Sequence, residues 1–149
     1  MLEIYVDGDA CPVKDEVLRV CERHKLKIYL VSNSWLRGYN HPLIKQVLVA
    51  EGADTADDWI AEHIGNGDIV ITEDVPLAAR CVIKSAQALR PNGQLLTENS
   101  IGLALATRNL MTDLRAAGEI TGGPRSFSKQ NRSNFLNVLE TIIQSIKGR

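Results

Sequence analysis

Two aspartates one residue apart, Asp7-Gly8-Asp9, follow the apolar run Ile4-Tyr5-Val6. Two carboxylates so spaced in a turn can face one cation, and hard oxygen ligands of this kind suit Mg²⁺ or Mn²⁺. Gly8 between them is expected to let the backbone turn tightly. The competing expectation is local: Asp9 caps a helix beginning near Pro12, and Asp7 pairs with a nearby base. Position favours chemistry, because the pair stands just past the end of a buried strand, where open α/β sheets bind ligands.

Other candidates sit at comparable positions. Thr72-Glu73-Asp74 closes a second apolar run. If that turn lies beside the Asp7 turn, Asp74 or Glu73 joins the carboxylates and Thr72 can bond a phosphate; alternatively Asp74 caps the helix that follows. Asp54, Asp57 and Asp58 open another helix, where acids complement the dipole, so at most one, Asp57, is expected to reach the site. Ser32-Asn33-Ser34 can contact substrate or simply form a polar turn. Trp35, Arg37, Tyr39 and His41 interleave rings and cations, a pattern that stacks bases and grips phosphates, although a tryptophan is more often a packing residue. Arg125, Lys129 and Arg132 gather at the start of the last helix, against the dipole preference, and suggest an anion partner. Cys11 stands at a helix start, where a thiol pKa tends to fall, but no Arg follows in a tight loop, so it reads as a packing residue.

The elements that must position these groups are legible as periodicity. Apolar runs at Ile4–Val6, Lys27–Ser32, Gln46–Ala50, Asp68–Thr72 and Gln94–Leu96 predict five strands. Helical spacing follows four of them, the second being followed by a polar, aromatic loop from Asn33 to Pro42: Val13, Val17, Leu18 and Cys21 on one face with Pro12 in the first turn; Asp54 to Ile64 with Trp59, Ile60 and His63 or Ile64 inward; about Pro76 to Ala88; and Ile101 to Ala117, stopped by Gly118. After a connector at Thr121–Pro124, a last helix from about Lys129 to Lys147 carries the stripe Phe135, Val138, Leu139, Ile142, Ile143 and Ile146. Strands alternating with helices imply parallel pairing by right-handed crossovers, and near-continuous apolar strands imply a sheet covered on both faces. The economical architecture is a three-layer doubly wound sheet of order 3-2-1-4-5. Its switch point lies between strands 1 and 4, at the Asp7 and Thr72 turns.

Composition bounds the class. With 149 residues and 44% hydrophobic content, the chain suits one domain with one core. Only 5% of residues are aromatic, so the core must be mainly aliphatic. No apolar run reaches the ~18 residues that cross a bilayer. The N-terminus lacks the basic and small-residue pattern of a signal peptide, so a cytoplasmic protein with no membrane partner is expected. Three cysteines without a Cys-x-x-Cys pair predict reduced thiols. Residues 121–149, the basic connector and last helix, hold five basic residues against one acidic, whereas the first 120 residues carry a net charge of −5. That division suits metal held in one place and phosphate in another.

The stretch Ile4-Tyr-Val-Asp-Gly-Asp-Ala-Cys-Pro-Val13 resembles the opening of the YaiI/YqxD family of uncharacterised bacterial proteins. Asp57-Asp58-Trp59, Thr72-Glu-Asp-Val-Pro-Leu-Ala78 and Gly123-Pro-Arg-Ser-Phe-Ser128 continue the likeness in order. The family's usual residue at position 8 is Ala, where this chain has Gly. The family resembles PIN-like domains, metal-dependent nucleases with acidic residues at strand ends. By that likeness Asp7, Asp9, Asp57 and Asp74 hold the metal, with Asp7, Asp9 and Asp74 catalytic. The substrate is then a nucleic acid, RNA before DNA, gripped by Arg125, Lys129 and Arg132. Two other functions fit the same residues. One is a haloacid-dehalogenase-like phosphatase with Asp7 as nucleophile and Asp9 as general acid. The other is a non-catalytic nucleotide- or RNA-binding module whose acids are caps.

Overall fold

A computed structural model of the chain describes residues 2–8, 11–51, 55–97, 100–102 and 128–147. Its strands are β1 (Ile4–Asp7), β2 (Ile28–Ser32), β3 (Ile44–Leu48), β4 (Ile69–Ile71), β5 (Gln87–Leu89) and β6 (Leu95–Leu96). Its helices are α1 (Lys14–His24), α2 (Thr55–His63), α3 (Val75–Ile83) and α4 (Lys129–Lys147). Residues 100–102 are also helical, and the rest of the helix predicted from Ile101 to Ala117 lies outside the described residues.

The sheet order is β3-β2-β1-β4-β5-β6, a three-layer PIN-like α/β arrangement. The first five strands pair in parallel, and β6 pairs with β5 antiparallel. The predicted order therefore holds, but one strand was misread. Gln87–Leu89 fills the fifth place, and the predicted fifth strand, Gln94–Leu96, is the sixth. Ala86, Ala88 and Leu89 look like the tail of a helix by composition. The backbone breaks α3 at Ile83 instead, with Ser85 in the left-handed region (φ 65°), and buries those three apolar side chains against the sheet. The third strand also starts two residues earlier than its apolar run, at Ile44. Pro12 precedes α1 rather than sitting in its first turn.

Alternation divides the core. Ile4, Val6, Ile28, Leu30, Ile69, Ile71 and Leu89 meet α1 and α4 on one face. Tyr5, Val31, Val70, Ala88 and Leu96 meet α2 and α3 on the other. On this second face the Tyr5 and Tyr29 rings stack at 4.9 Å, and Trp59 of α2 lies 5.7 Å from Tyr29. His63 covers the outer side of Trp59 at 3.9 Å, so Trp59 turns inward as its spacing predicted, and Ile64 is buried beside it.

Helix α4 keeps its predicted bounds and buries Phe135, Leu139, Ile142 and Ile143, each contributing about 1.5–3 kcal/mol by leaving water. Polar bonds also hold it to α1 and to Pro12 just before α1. Arg132 Nη1 donates to Pro12 O at 2.8 Å and to Glu16 Oε1 at 2.9 Å. Glu140 accepts from Arg23 at 2.5 Å and pairs with His24. Burial would raise the Glu140 carboxyl, but the bonds from His24 and Arg23 outweigh it and hold it below its ordinary range. That contribution is present above the ordinary carboxylate pKa and is lost as pH falls through the lowered value.

At the amino ends of the strands, Asp68 accepts from Glu3 N at 3.1 Å and from Gly65 N at 2.9 Å, which stitches the β4 entry to the β1 entry. Phe135, between α4 and the sheet, is the largest fully buried side chain of the α1/α4 layer. Phe135→Ala is expected to lower the unfolding free energy by about 3–5 kcal/mol in urea denaturation, with the m-value unchanged if α4 remains docked.

Candidate functional site

At the carboxyl edge of the sheet, the register brings the ends of β1, β2 and β4 together. Asp7 pairs with Val31, and Val6 with Ile71. One residue beyond, Gly8 N donates to Val31 O at 2.7 Å. Gly8 does not use the left-handed region, so the tight-turn role expected of it gives way to close packing. A Cβ at position 8 would meet Leu30 Cδ1 and Val31 O at 3.0 Å, and the β2 edge would have to yield by a few tenths of an ångström.

Thr72 links the two acidic turns. It is buried (2% exposed), its hydroxyl donates to Asp7 Oδ2 at 3.4 Å, and the same oxygen accepts from Asp74 N at 3.0 Å. The backbone donor fixes the polarity of the hydroxyl, whose one proton points to Asp7. Asp74 is also the N-cap of α3, with Oδ1 accepting from Leu77 N at 3.0 Å and Pro76 in the first turn. Capping occupies one oxygen and orients the carboxylate, so both readings of Asp74 hold together. Thr72 Oγ1 is thus not an open phosphate contact; it sets the spacing between Asp7 and Asp74.

The remaining candidates separate. Asp9, Asp54 and Arg125 lie outside the described residues. Asp57 is half-buried in the first turn of α2, and Asp58 beside it forms an exposed pair with Arg80 of α3 at 2.9 Å. Among the described residues no three His, Cys, Asp or Glu come together, so Asp57 does not close a three-acid group with Asp7 and Asp74. The donor chemistry still suits a hard cation, since Mg²⁺ commonly takes one or two carboxylates and completes its shell with water and phosphate oxygens.

Ser32 is fully buried and donates to Ser34 O at 2.7 Å, so its hydroxyl closes the turn after β2 rather than facing a ligand. Asn33 beside it is exposed. Lys129 is exposed at the start of α4, whereas Arg132 is committed to Pro12 and Glu16. Ser128 caps this helix through Asn131 N at 3.1 Å, taking one of the donors an anion would need. Of the expected three cations, the structure thus shows Lys129 exposed and Arg132 Nη1 engaged with α1 and Pro12, while Arg125 lies outside the described residues.

A cation that the sequence reading passed over stands nearer. Thr72 N donates to Leu89 O, and the next residue, Arg90, reaches Glu73 at 3.0 Å and Gln94 Oε1 at 3.0 Å. Its buried Nε has no partner among the described residues. An Arg directly after a strand would have pointed to this edge had Gln87–Leu89 been read as β5. Two grooves lie away from these carboxylates. One, of about 420 Å³, is at the amino ends of the strands beside Leu2, Leu26 and Gly67; the other, of about 450 Å³, lies between Asn92–Gln94 and the asparagines of α4.

Burial pushes the Cys11 thiol up to about 11 and those of Cys21 and Cys81 up to about 12. For Cys11, desolvation overrides the lowering expected at a helix start.

The family model described as "Uncharacterized BCR, YaiI/YqxD family" matches residues 5–145. The chain belongs to the YaiI/YqxD family. Among its relatives, a UPF0178 protein of Rhodopseudomonas palustris (strain TIE-1) is 58% identical over 149 residues, covering all of this chain and 94% of the relative. A UPF0178 protein of Parvibaculum lavamentivorans is 56% identical over 149 residues, covering all of this chain and 98% of the relative. One of Nitrobacter winogradskyi is 55% identical over 146 residues, 98% of this chain and 93% of the relative. No solved structure matches the chain. Among the described residues no helix is long and apolar enough to cross a membrane.

Two outcomes follow for this YaiI/YqxD member. Thr72→Val strands Asp74 N and removes the donor to Asp7, and is expected to cost about 1–3 kcal/mol in urea denaturation, most of it recovered by Thr72→Ser. All three thiols should react with a disulfide reagent at pH 8 at least about a hundredfold more slowly in the folded protein than in urea.

Proposed function

We propose that this protein is a divalent-metal-dependent nuclease acting on RNA in the cytoplasm. The observation that carries the reading is the Asp7–Thr72–Asp74 relay, two carboxylates set by one buried hydroxyl at the switch point between β1 and β4. Ligands of open α/β sheets bind at such a point. The resemblance to PIN-like nucleases supplies the reaction class, and Mg²⁺ or Mn²⁺ held by Asp7 and Asp74, with Asp9 and Asp57 as further candidates, supports it by donor chemistry.

When bound, the cation would lower the pKa of water and offset charge on the scissile phosphate. The chain's own groups do the rest. Thr72 keeps its proton on Asp7 and so holds that carboxylate in one rotamer. The α3 cap holds Asp74 in register with it. Arg90, tethered by Glu73 at the β5 side of the same edge, presents a guanidinium suited to a phosphate oxygen. The phosphatase reading needs the Ser32 hydroxyl at the phosphate, and that hydroxyl is buried on Ser34 O.

Calorimetric titration of Mn²⁺ at fixed salt, followed by cleavage of single-stranded RNA, tests the reading. Asp7→Asn is expected to abolish Mn²⁺ binding and lower cleavage at least about a hundredfold. Metal binding and cleavage unchanged in Asp7→Asn would overturn it. An acid-stable phosphoprotein formed by wild type would favour the phosphatase.

A further inference from the structure

The loop joining β2 to β3 presents a large ring to water on a fixed backbone. Trp35 is 61% exposed, although its loop is not loose. Leu36 next to it is clasped by one side chain of β3. Its N–H donates to Gln46 Oε1 at 2.9 Å, and its carbonyl accepts from Gln46 Nε2 at 2.8 Å. The Leu36 side chain packs on the α1/α4 core, as does Tyr39. Ser32 holds the entry to the loop through Ser34 O, at 2.7 Å. Beyond Trp35, the Tyr39 hydroxyl donates to Asp15 at 2.9 Å and His41 pairs with Glu22 at 3.2 Å. Of the four ring and cation residues singled out in this loop, Tyr39 and His41 are thereby committed to α1, while Trp35 and Arg37 remain exposed. A ring held out of the core by a pinned backbone is not explained by packing.

Charge and position indicate what it meets. Residues 33–50 contain Arg37 and Lys45 and no Asp or Glu, within a body whose first 120 residues carry a net charge of −5. Both cations are exposed. The loop leaves β2 at the carboxyl edge, where Asp7 ends β1 opposite Val31. Lys45 alternates with Ile44 and Gln46 and so lies with Val47 on the opposite face of the sheet from Leu36, while α1 sets Asp15 and Glu22 against Tyr39 and His41. Arg37 is the exposed cation next to the ring in the chain, and an aromatic plane beside a cation is the composition of a surface that stacks unpaired bases while the cation meets a phosphate.

We infer that Trp35 is a stacking platform for an unpaired base of a single-stranded nucleic acid, with Arg37 on an adjoining phosphate. This rests on the nuclease reading for its choice of ligand, but not on any chemistry at Asp7. The same strand then runs from the Trp35 platform toward the Asp7–Asp74 edge.

The test is fluorescence anisotropy with a labelled 12-residue oligouridylate, in EDTA so that nothing is cleaved, at several salt concentrations. Trp35→Ala is expected to weaken binding roughly five- to hundredfold, the size of one base–aromatic stack, with the salt slope unchanged. Trp35→Phe should retain most of the affinity, and Arg37→Gln should reduce the salt slope by about one. Equal thermal unfolding of the variants excludes misfolding as the cause. The inference is overturned if Trp35→Ala binds as wild type does, or if wild type does not bind the strand. A Trp35→Ala change in sedimentation with unchanged oligonucleotide affinity also overturns it, and makes the patch a contact between copies. Cleavage measured separately in Mn²⁺ keeps the two readings apart. Trp35-dependent binding without cleavage leaves the platform and removes the nuclease, and cleavage indifferent to Trp35 does the reverse.

Discussion

Parallel strands cannot be joined by tight turns, and their two faces cannot both be left wet. β1 and β4 lie side by side with Ile4, Val6, Ile69 and Ile71 under one helical layer and Tyr5 and Val70 under the other. Every crossover between the parallel strands therefore leaves from one edge and enters at the other, and the carboxyl ends of β1, β2 and β4 share the edge of departure. Polar groups excluded from both layers gather at the two edges, Asp68 at the amino side and Asp7 with Thr72 at the carboxyl side. Asp7 and Thr72 are the first residues of their strands to escape the hydrocarbon, and their bond follows from the pairing that buries the residues before them.

Much of this was legible in the chain because it rests on periodicity. The strand order, the α4 stripe and its bounds, and the inward side of α2 follow from the spacing of apolar residues, and that spacing is what two-sided burial demands. β5 was hidden because three residues are too few to show alternation, and Ala86, Ala88 and Leu89 suit a helix as well as a strand. Only the left-handed Ser85 and the burial of these side chains decide between them. Missing β5 also concealed Arg90, whose meaning depends on its following a strand.

The site was legible in residue type and less so in partnership. Asp74 was weighed as a cap or a ligand, and the geometry allows both because a carboxylate has two oxygens. By type and position Ser32, Thr72 and Arg132 all suit substrate contacts, Ser32 equally a polar turn. In each case a neighbour in space, invisible in sequence, takes the polar group: Ser34 O, Asp7 with Asp74 N, and Glu16 with Pro12 O. Buried polar groups are nearly always satisfied, so a hydroxyl at a strand end is more often spent within the fold than kept for a ligand.

Among the described residues, β3 pairs with β2 on one side only, and its other side is a row of unpaired backbone groups. Such an edge is a template for another chain's strand, and Leu48, 55% exposed, adds to the attraction. Lys45, exposed one residue into the strand, opposes it. A copy docking along β3 would have to strip water from that ammonium and set it against its own like charge. A charged side chain on an edge strand is one of the devices by which folded proteins discourage such pairing. An apolar residue there would make solubility, rather than stability or activity, the first property to fail.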